Sequence, residues 1–170
     1  NALSVIALRS GTLLATARST VEIPNFQHLL KCSESLSNVQ LFPIHFLTPT
    51  TFKQDKRYVI FPQESLILQS LISRWNVSFP EAAMDDEDAF QALLRGIHIV
   101  DYNLHTTRYP MKQVWLPAFQ GRISVETRLP APMMALWTTL YSFAPYAGIG
   151  VKTTLGMGGV SMMKASNLPV

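Results

Sequence analysis

The chain has 170 residues, 48% of them hydrophobic and 15% charged, with a formal net charge of +3. That is enough apolar content for one well-cored domain plus an appendage, and it excludes a disordered chain. No apolar run is long enough to span a bilayer, and a single cysteine, Cys32, excludes an internal disulfide.

The mild basicity is compatible with a nucleic-acid partner without specifying one. His28, His45, His98 and His105 lack metal-ligand spacing, so neither a metal nor another cofactor is expected. A lone cysteine fits a reducing cytosol, and the expected location is cytoplasmic, with no membrane partner. The chain begins at Asn1 rather than Met and lacks signal-peptide order, which implies further residues upstream.

In chain order, Ser4 to Leu8 and Leu13 to Ile23 read as short strands about a turn at Arg9-Ser10-Gly11-Thr12. Phe26 to Leu30 reads as helical. The polar stretch Ser33 to Asn38 reads as a linker, dividing residues 1–38 from a domain of residues 39–170. Residues 40–48 predict a strand with Ile44 and Phe46 facing the core and His45 and Leu47 opposite. Pro43 implies either the start of the strand or an edge position, and Thr48-Pro49-Thr50-Thr51 ends it. Lys53, Lys56 and Arg57 follow in a loop.

Residues 64–76 predict a helix burying Leu68, Leu71, Ile72 and Trp75. Asp85 to Gly96 predicts a second, with Asp85, Asp86, Glu87 and Asp88 at its N-terminus, where the macrodipole favours carboxylates. Residues 97–106 and 113–126 read as a hairpin joined by Arg108-Tyr109-Pro110-Met111-Lys112. In a regular strand His98 and His105 point opposite ways. Pro130 and Pro132 precede a helix carrying Met133, Leu136, Trp137, Leu140, Tyr141 and Ala144 on one face and ending at Pro145. A closing strand spans about Gly159 to Lys164. The order after the linker is βαββαβ, a ferredoxin-like, RRM-like α+β arrangement with an antiparallel sheet and one face free for a ligand or another domain.

Residues 148–158 carry four glycines, Gly148, Gly150, Gly156 and Gly158, in the order G-h-G-x-x-x-x-x-G-h-G, where h is apolar. Glycine reaches positive φ and lets a backbone approach another molecule closely. Three readings stand side by side. A dinucleotide or triphosphate loop needs a strand before it and a helix after it, the reverse of the order here. A plain helix-to-strand turn is the structural reading. The third is a loop whose outward amides grip a nucleic-acid backbone, with Lys152 adding charge and Thr153 and Thr154 adding hydroxyls.

The segment Phe143-Ala-Pro-Tyr-Ala-Gly148-Ile-Gly150-Val-Lys152-Thr-Thr-Leu-Gly156-Met-Gly158 resembles the signature of the CRISPR repeat-processing endoribonucleases of the RAMP superfamily. Phe46-Leu-Thr-Pro49-Thr50-Thr-Phe52, Phe119-Gln-Gly121-Arg122-Ile123 and the run from Phe61-Pro62 to Arg74-Trp75-Asn76 agree in order, so the resemblance covers roughly residues 40–165. It implies that residues 1–38 are the tail of an N-terminal ferredoxin-like domain plus a linker. It also implies metal-independent cleavage of CRISPR precursor RNA, in which a ribose 2′-OH attacks the adjacent phosphate and leaves a 2′,3′-cyclic phosphate and a 5′-OH. The catalytic histidine of such enzymes belongs to the N-terminal domain, so no residue here inherits that role.

The RNA-binding residues expected on this basis are Gly148, Gly150, Lys152, Thr153, Thr154, Gly156 and Gly158, with Arg108 and Lys112 at the hairpin tip. The partners implied are CRISPR repeat and guide RNA, together with other subunits of a CRISPR complex. Two alternatives belong to other classes: a non-catalytic subunit holding the repeat hairpin, and a protein-interaction module with a coincidental glycine loop.

Overall fold

The computed structural model describes residues 3–7, 13–17, 25–111 and 114–162. Strands β1 (Leu3–Ala7) and β2 (Leu13–Ala17) pair antiparallel with Leu3 opposite Ala17. The turn expected between them lies outside the described residues. Helix α1 (Phe26–Glu34) begins at Asn25, whose side chain accepts the His28 N–H at 2.8 Å, an N-cap that satisfies one of the free amides of the first turn. It runs into the stretch expected as linker because Leu29 is fully buried in the main core.

β3 (Leu41–Thr50) is followed by a small hairpin, β4 (Phe52–Gln54) and β5 (Arg57–Val59). The hairpin turns through Asp55 and Lys56, both at positive φ, where the sequence suggested only a loop. Then come α2 (Glu64–Ser78), α3 (Glu87–Gly96), β6 (Ile97–Met111), β7 (Val114–Thr127), α4 (Ala131–Ala147) and β8 (Val160–Ser161). The sheet order is β6-β7-β3-β8 with every pair antiparallel, the ferredoxin-like order.

Alternation along β3 sends Phe42, Ile44 and Phe46 into the core, where they meet Phe119, Ile123 and Val125 of β7. Leu68, Leu71 and Trp75 of α2 and Trp137, Leu140 and Tyr141 of α4 close the core from the helical side. Phe42 meets the edges of Trp137 and Tyr141 at ring-centroid distances of 5.7 and 4.9 Å. Asp86 caps α3 by accepting the amides of Asp88 and Ala89, which gives that acidic run a local structural role.

Four expectations are corrected. Pro43 is the third residue of β3, a strand central in the sheet rather than at its edge, and its partner among the described residues is Ser124 of β7. Arg108 to Met111 are not a connection but the last residues of β6, paired with Val114 to Pro117. Pro145 does not end α4, which continues to Ala147 and stops at Gly148, whose φ is 73°. His98 and His105 share one face, because a bulge between Ile99 and Asp101 shifts the alternation. Their partners Glu126 and Gln120 are six residues apart on β7, about 20 Å at the rise of a strand, so the two histidines still form no pair.

The buried Tyr141 hydroxyl donates to the Pro43 carbonyl at 2.7 Å and ties α4 to β3. Burial pushes its pKa well above the usual tyrosine range. Tyr141→Phe should cost about 1–2 kcal/mol in urea unfolding, the value of one buried hydrogen bond. Only the unfolded chain ionises this phenol near pH 10. Tyr141's contribution to stability is therefore complete below that pH and declines as pH rises above it, and the Phe variant should show a shallower alkaline loss.

Candidate nucleic-acid interface

The 148–159 loop is built against the end of β3. The Ile149 amide donates to the Gly158 carbonyl at 2.8 Å, the Val151 amide to Thr51 at 2.9 Å, and the Gly158 amide to Pro49 at 3.1 Å. The Gly159 amide donates to Thr48 Oγ1 at 2.8 Å. These bonds continue the pairing of β3 and bring two backbones so close that side chains are excluded. A Cβ on Gly150 would lie 2.6 Å from the Thr51 carbonyl oxygen, and one on Gly158 would lie 2.1 Å from that of Ile149. The glycine spacing is thus explained first by internal fit.

Helix α2 holds the loop from the other side. Ser70 Oγ accepts the Gly150 amide at 2.9 Å. Arg74 donates from Nη1 to Thr153 Oγ1 at 2.7 Å and from Nη2 to the Gly150 carbonyl at 2.5 Å. The sequence assigns Ser70 and Arg74 no role in the loop, although Arg74 stands in the Phe61–Asn76 run that carries the resemblance. Their four-residue spacing puts them on one helix face, which is legible, but their partners lie about 80 residues away in the chain.

The expectation of outward amides along the whole loop is corrected for most of it. The amides of Gly148, Gly150, Gly156 and Gly158 all bond within the protein, and Gly148, Gly150 and Gly158 are buried. The outer segment is Lys152 to Gly156. Lys152 stands in the left-handed region with φ 59°, before a 3-10 turn at Thr153–Leu155. The amides of Lys152, Thr153 and Thr154 take none of these internal acceptors, and Thr154 and Leu155 are exposed.

The hairpin tip reaches this segment, because the Tyr109 hydroxyl donates to the Leu155 carbonyl. Tyr109 also packs beside Leu116, Ala118 and Met157. Arg108 is exposed and, by strand alternation, points to the opposite side from Tyr109. Lys112 lies outside the described residues.

On the open sheet face the register aligns Ser161, His45, Arg122 and Asn103 in one row. That row has no Phe, Tyr or Trp, and the His45 imidazole is its one aromatic ring, so it lacks the set of several rings by which RRM sheets hold successive unpaired bases. The only ion pair among the described residues joins Arg128 and Glu126, at the end of β7 far in sequence from the hairpin tip.

The family model described as CRISPR-associated endoribonuclease Cas6 matches residues 44–160, from β3 to the start of β8. The chain belongs to the Cas6 family. It is 34% identical over 134 residues to the CRISPR-associated endoribonuclease Cas6 of Streptococcus thermophilus, covering 79% of this chain and 55% of that protein. It is 26% identical over 123 residues to the Cas6 of Mycobacterium tuberculosis, covering 70% and 38%. The chain therefore spans about half the length, or less, of the curated relatives it matches. The fold is shared with a Cas6 of Thermus thermophilus, at TM-score 0.64 and 24% identity over 93% of this chain and 63% of that one. A Cas6 product complex superposes equally well, at TM-score 0.64 and 23% identity, over 93% and 60%.

Gly150→Ala should lower stability by about 2 kcal/mol or more, since it adds strain at φ 95° to a contact with backbone. Gly156→Ala, at φ 87° with open space around it, should cost only about 1 kcal/mol. Thermal melts of the two variants check the order.

Proposed function

We propose that this chain is the C-terminal ferredoxin-like half of an enzyme that binds CRISPR repeat RNA and cuts the precursor into guide RNAs. The family match from β3 to β8 carries this reading. The outward segment at Lys152–Gly156 supports it, because the amides of Lys152, Thr153 and Thr154 have no acceptor among the described residues and stand beside two hydroxyls and a cation suited to a phosphate backbone. Residues 39–170 form the RNA-holding domain, and residues 1–38 are the end of a preceding ferredoxin-like domain plus its linker, with α1 docked on α4. Arg108 and Lys112, near the hairpin tip, contact the repeat stem. The location is cytoplasmic, and other subunits of a CRISPR complex are partners. Among the described residues no helix is long and apolar enough to cross a membrane.

Cleavage proceeds without a metal. The ribose 2′-OH loses its proton to a base and attacks the adjacent phosphorus. The 5′-oxygen leaves and is protonated by an acid, giving a 2′,3′-cyclic phosphate and a 5′-OH. Charge developing on the phosphorane is met by donors held in place beforehand, the role that amides and Lys152 can serve.

Incubating the intact protein with repeat RNA in EDTA should yield a 3′ fragment that polynucleotide kinase labels without prior phosphatase treatment. Loss of cleavage in EDTA would remove the metal-free route. Lys152→Ala should weaken repeat binding and reduce the salt slope by about 0.9 for one lost duplex-phosphate contact. Asp86→Ala should leave binding unchanged while costing about 1 kcal/mol of stability through the lost cap. Filter binding across a salt series separates these effects, and equal affinity in wild type and Lys152→Ala would count against the loop assignment.

A further inference from the structure

The outer segment of the glycine loop is held at its two ends by different elements. At the near end the Val151 amide donates to the Thr51 carbonyl at 2.9 Å, and Arg74 of α2 donates to Thr153 Oγ1 at 2.7 Å. At the far end the Tyr109 hydroxyl, from the last residues of β6, donates to the Leu155 carbonyl. Between them lies one short 3-10 turn. It is closed by the Leu155 amide on the Lys152 carbonyl at 2.9 Å and the Gly156 amide on the Thr153 carbonyl at 3.0 Å.

Packing does not fix the far end. The Leu155 side chain is 50% exposed, and a Cβ on Gly156 would meet open space. Among the described residues, the Tyr109 hydroxyl is the only side-chain group bonded to residues 154–156. The Tyr109 ring is itself fixed. It packs with Met111 on Leu116, Ala118 and Met157, a small apolar cluster apart from the main core. The cluster sets where the hydroxyl stands, and the hydroxyl sets the peptide at Leu155. Lys152, Thr153 and Thr154, whose amides take no internal acceptor, belong to the same turn or adjoin it, so their direction follows.

We infer that Tyr109 is a positioning residue for RNA cleavage, whose hydroxyl holds the outer loop segment in the orientation that meets the reacting phosphate. The inference rests on the function proposed above, in which these amides and Lys152 face the phosphorane, and it names the group that aims them. Donors stabilise a transition state when they are aimed before its charge develops, and a small misplacement lowers the rate. Binding of the ground state is less demanding, because a charge attracts a phosphate over a range of positions. The Tyr109 hydroxyl therefore acts on rate more than on affinity. Arg108, the preceding residue, faces the other side of the hairpin, so one strand end both meets the stem and sets the loop.

The test uses the intact protein and repeat RNA in single-turnover reactions, with affinity measured separately. Tyr109→Phe keeps the ring in its cluster and removes only the hydroxyl. It should cut about fivefold more slowly, the worth of one intramolecular hydrogen bond, and bind the RNA within about twofold of wild type. Tyr141→Phe is the control for mere destabilisation: it loses a hydroxyl from the main core, so it should melt lower and cut at the wild-type rate. Adding Tyr109→Phe to Lys152→Ala should slow cutting by less than it does in wild type, because both changes act on one segment. An unchanged rate in Tyr109→Phe, an affinity loss as large as its rate loss, an equal slowing in Tyr141→Phe, or full multiplication of the two effects in the double variant overturns the positioning role and leaves the RNA-cutting function standing. Wild-type protein that cuts no repeat RNA overturns both.

Discussion

A backbone-to-backbone contact at Gly150 governs the geometry of the candidate interface. With no Cβ, Gly150 lies against the Thr51 carbonyl, and its neighbours Ile149 and Val151 are held by main-chain bonds to Gly158 and Thr51. The loop becomes an extension of β3's edge rather than a free excursion. Ser70 and Arg74 grip the same glycine from α2, so strand, helix and loop are held at one point. A side chain at position 150 would part these elements and move every donor that follows.

That anchoring has an electrostatic consequence. Arg74 serves as a structural clamp while remaining, among the described residues, a cation without a carboxylate partner. Lys152 is held at φ 59°, a conformation uncommon for a residue with a side chain. A strained cation beside an unneutralised one is an arrangement that interior packing alone does not require. Such features gather where a ligand completes the site. The positive charge of the chain is modest in total, and its placement around α2, β4 and the loop gives it direction.

Much of the fold was legible because its elements obey single periods. Leu68, Leu71 and Trp75 recur at helical spacing, and Ile44 and Phe46 alternate with His45 and Leu47, and each residue is buried or turned outward accordingly. Elements that break their period were misread. The bulge at Val100 moves His98 and His105 to one face, which alternation alone forbids. Pro145 looked like a stop, yet the helix absorbs it and ends where Gly148 takes positive φ. The strand end at Arg108–Met111 looked like a turn because Pro110 and Lys112 mark one, whereas pairing with Val114–Pro117 and the Tyr109 hydroxyl's bond to Leu155 keep it extended.

The amino-acid order by itself determined the βαββαβ succession, the core faces of its strands and helices, the glycine spacing and hence the family, since all of these are written in local period and local motif. Tertiary structure alone decided which amides of the glycine loop face inward and which remain outside. It also decided that Ser70 and Arg74 belong to that loop, and that Lys53, Arg74, Lys152 and Tyr146 border one cavity. The physical reason is the range of the contacts. Lys53, Arg74 and the pair Tyr146 and Lys152 are separated from one another by about 20 to 100 positions in the chain, and only the packing of α2 and α4 on the sheet brings them to one place.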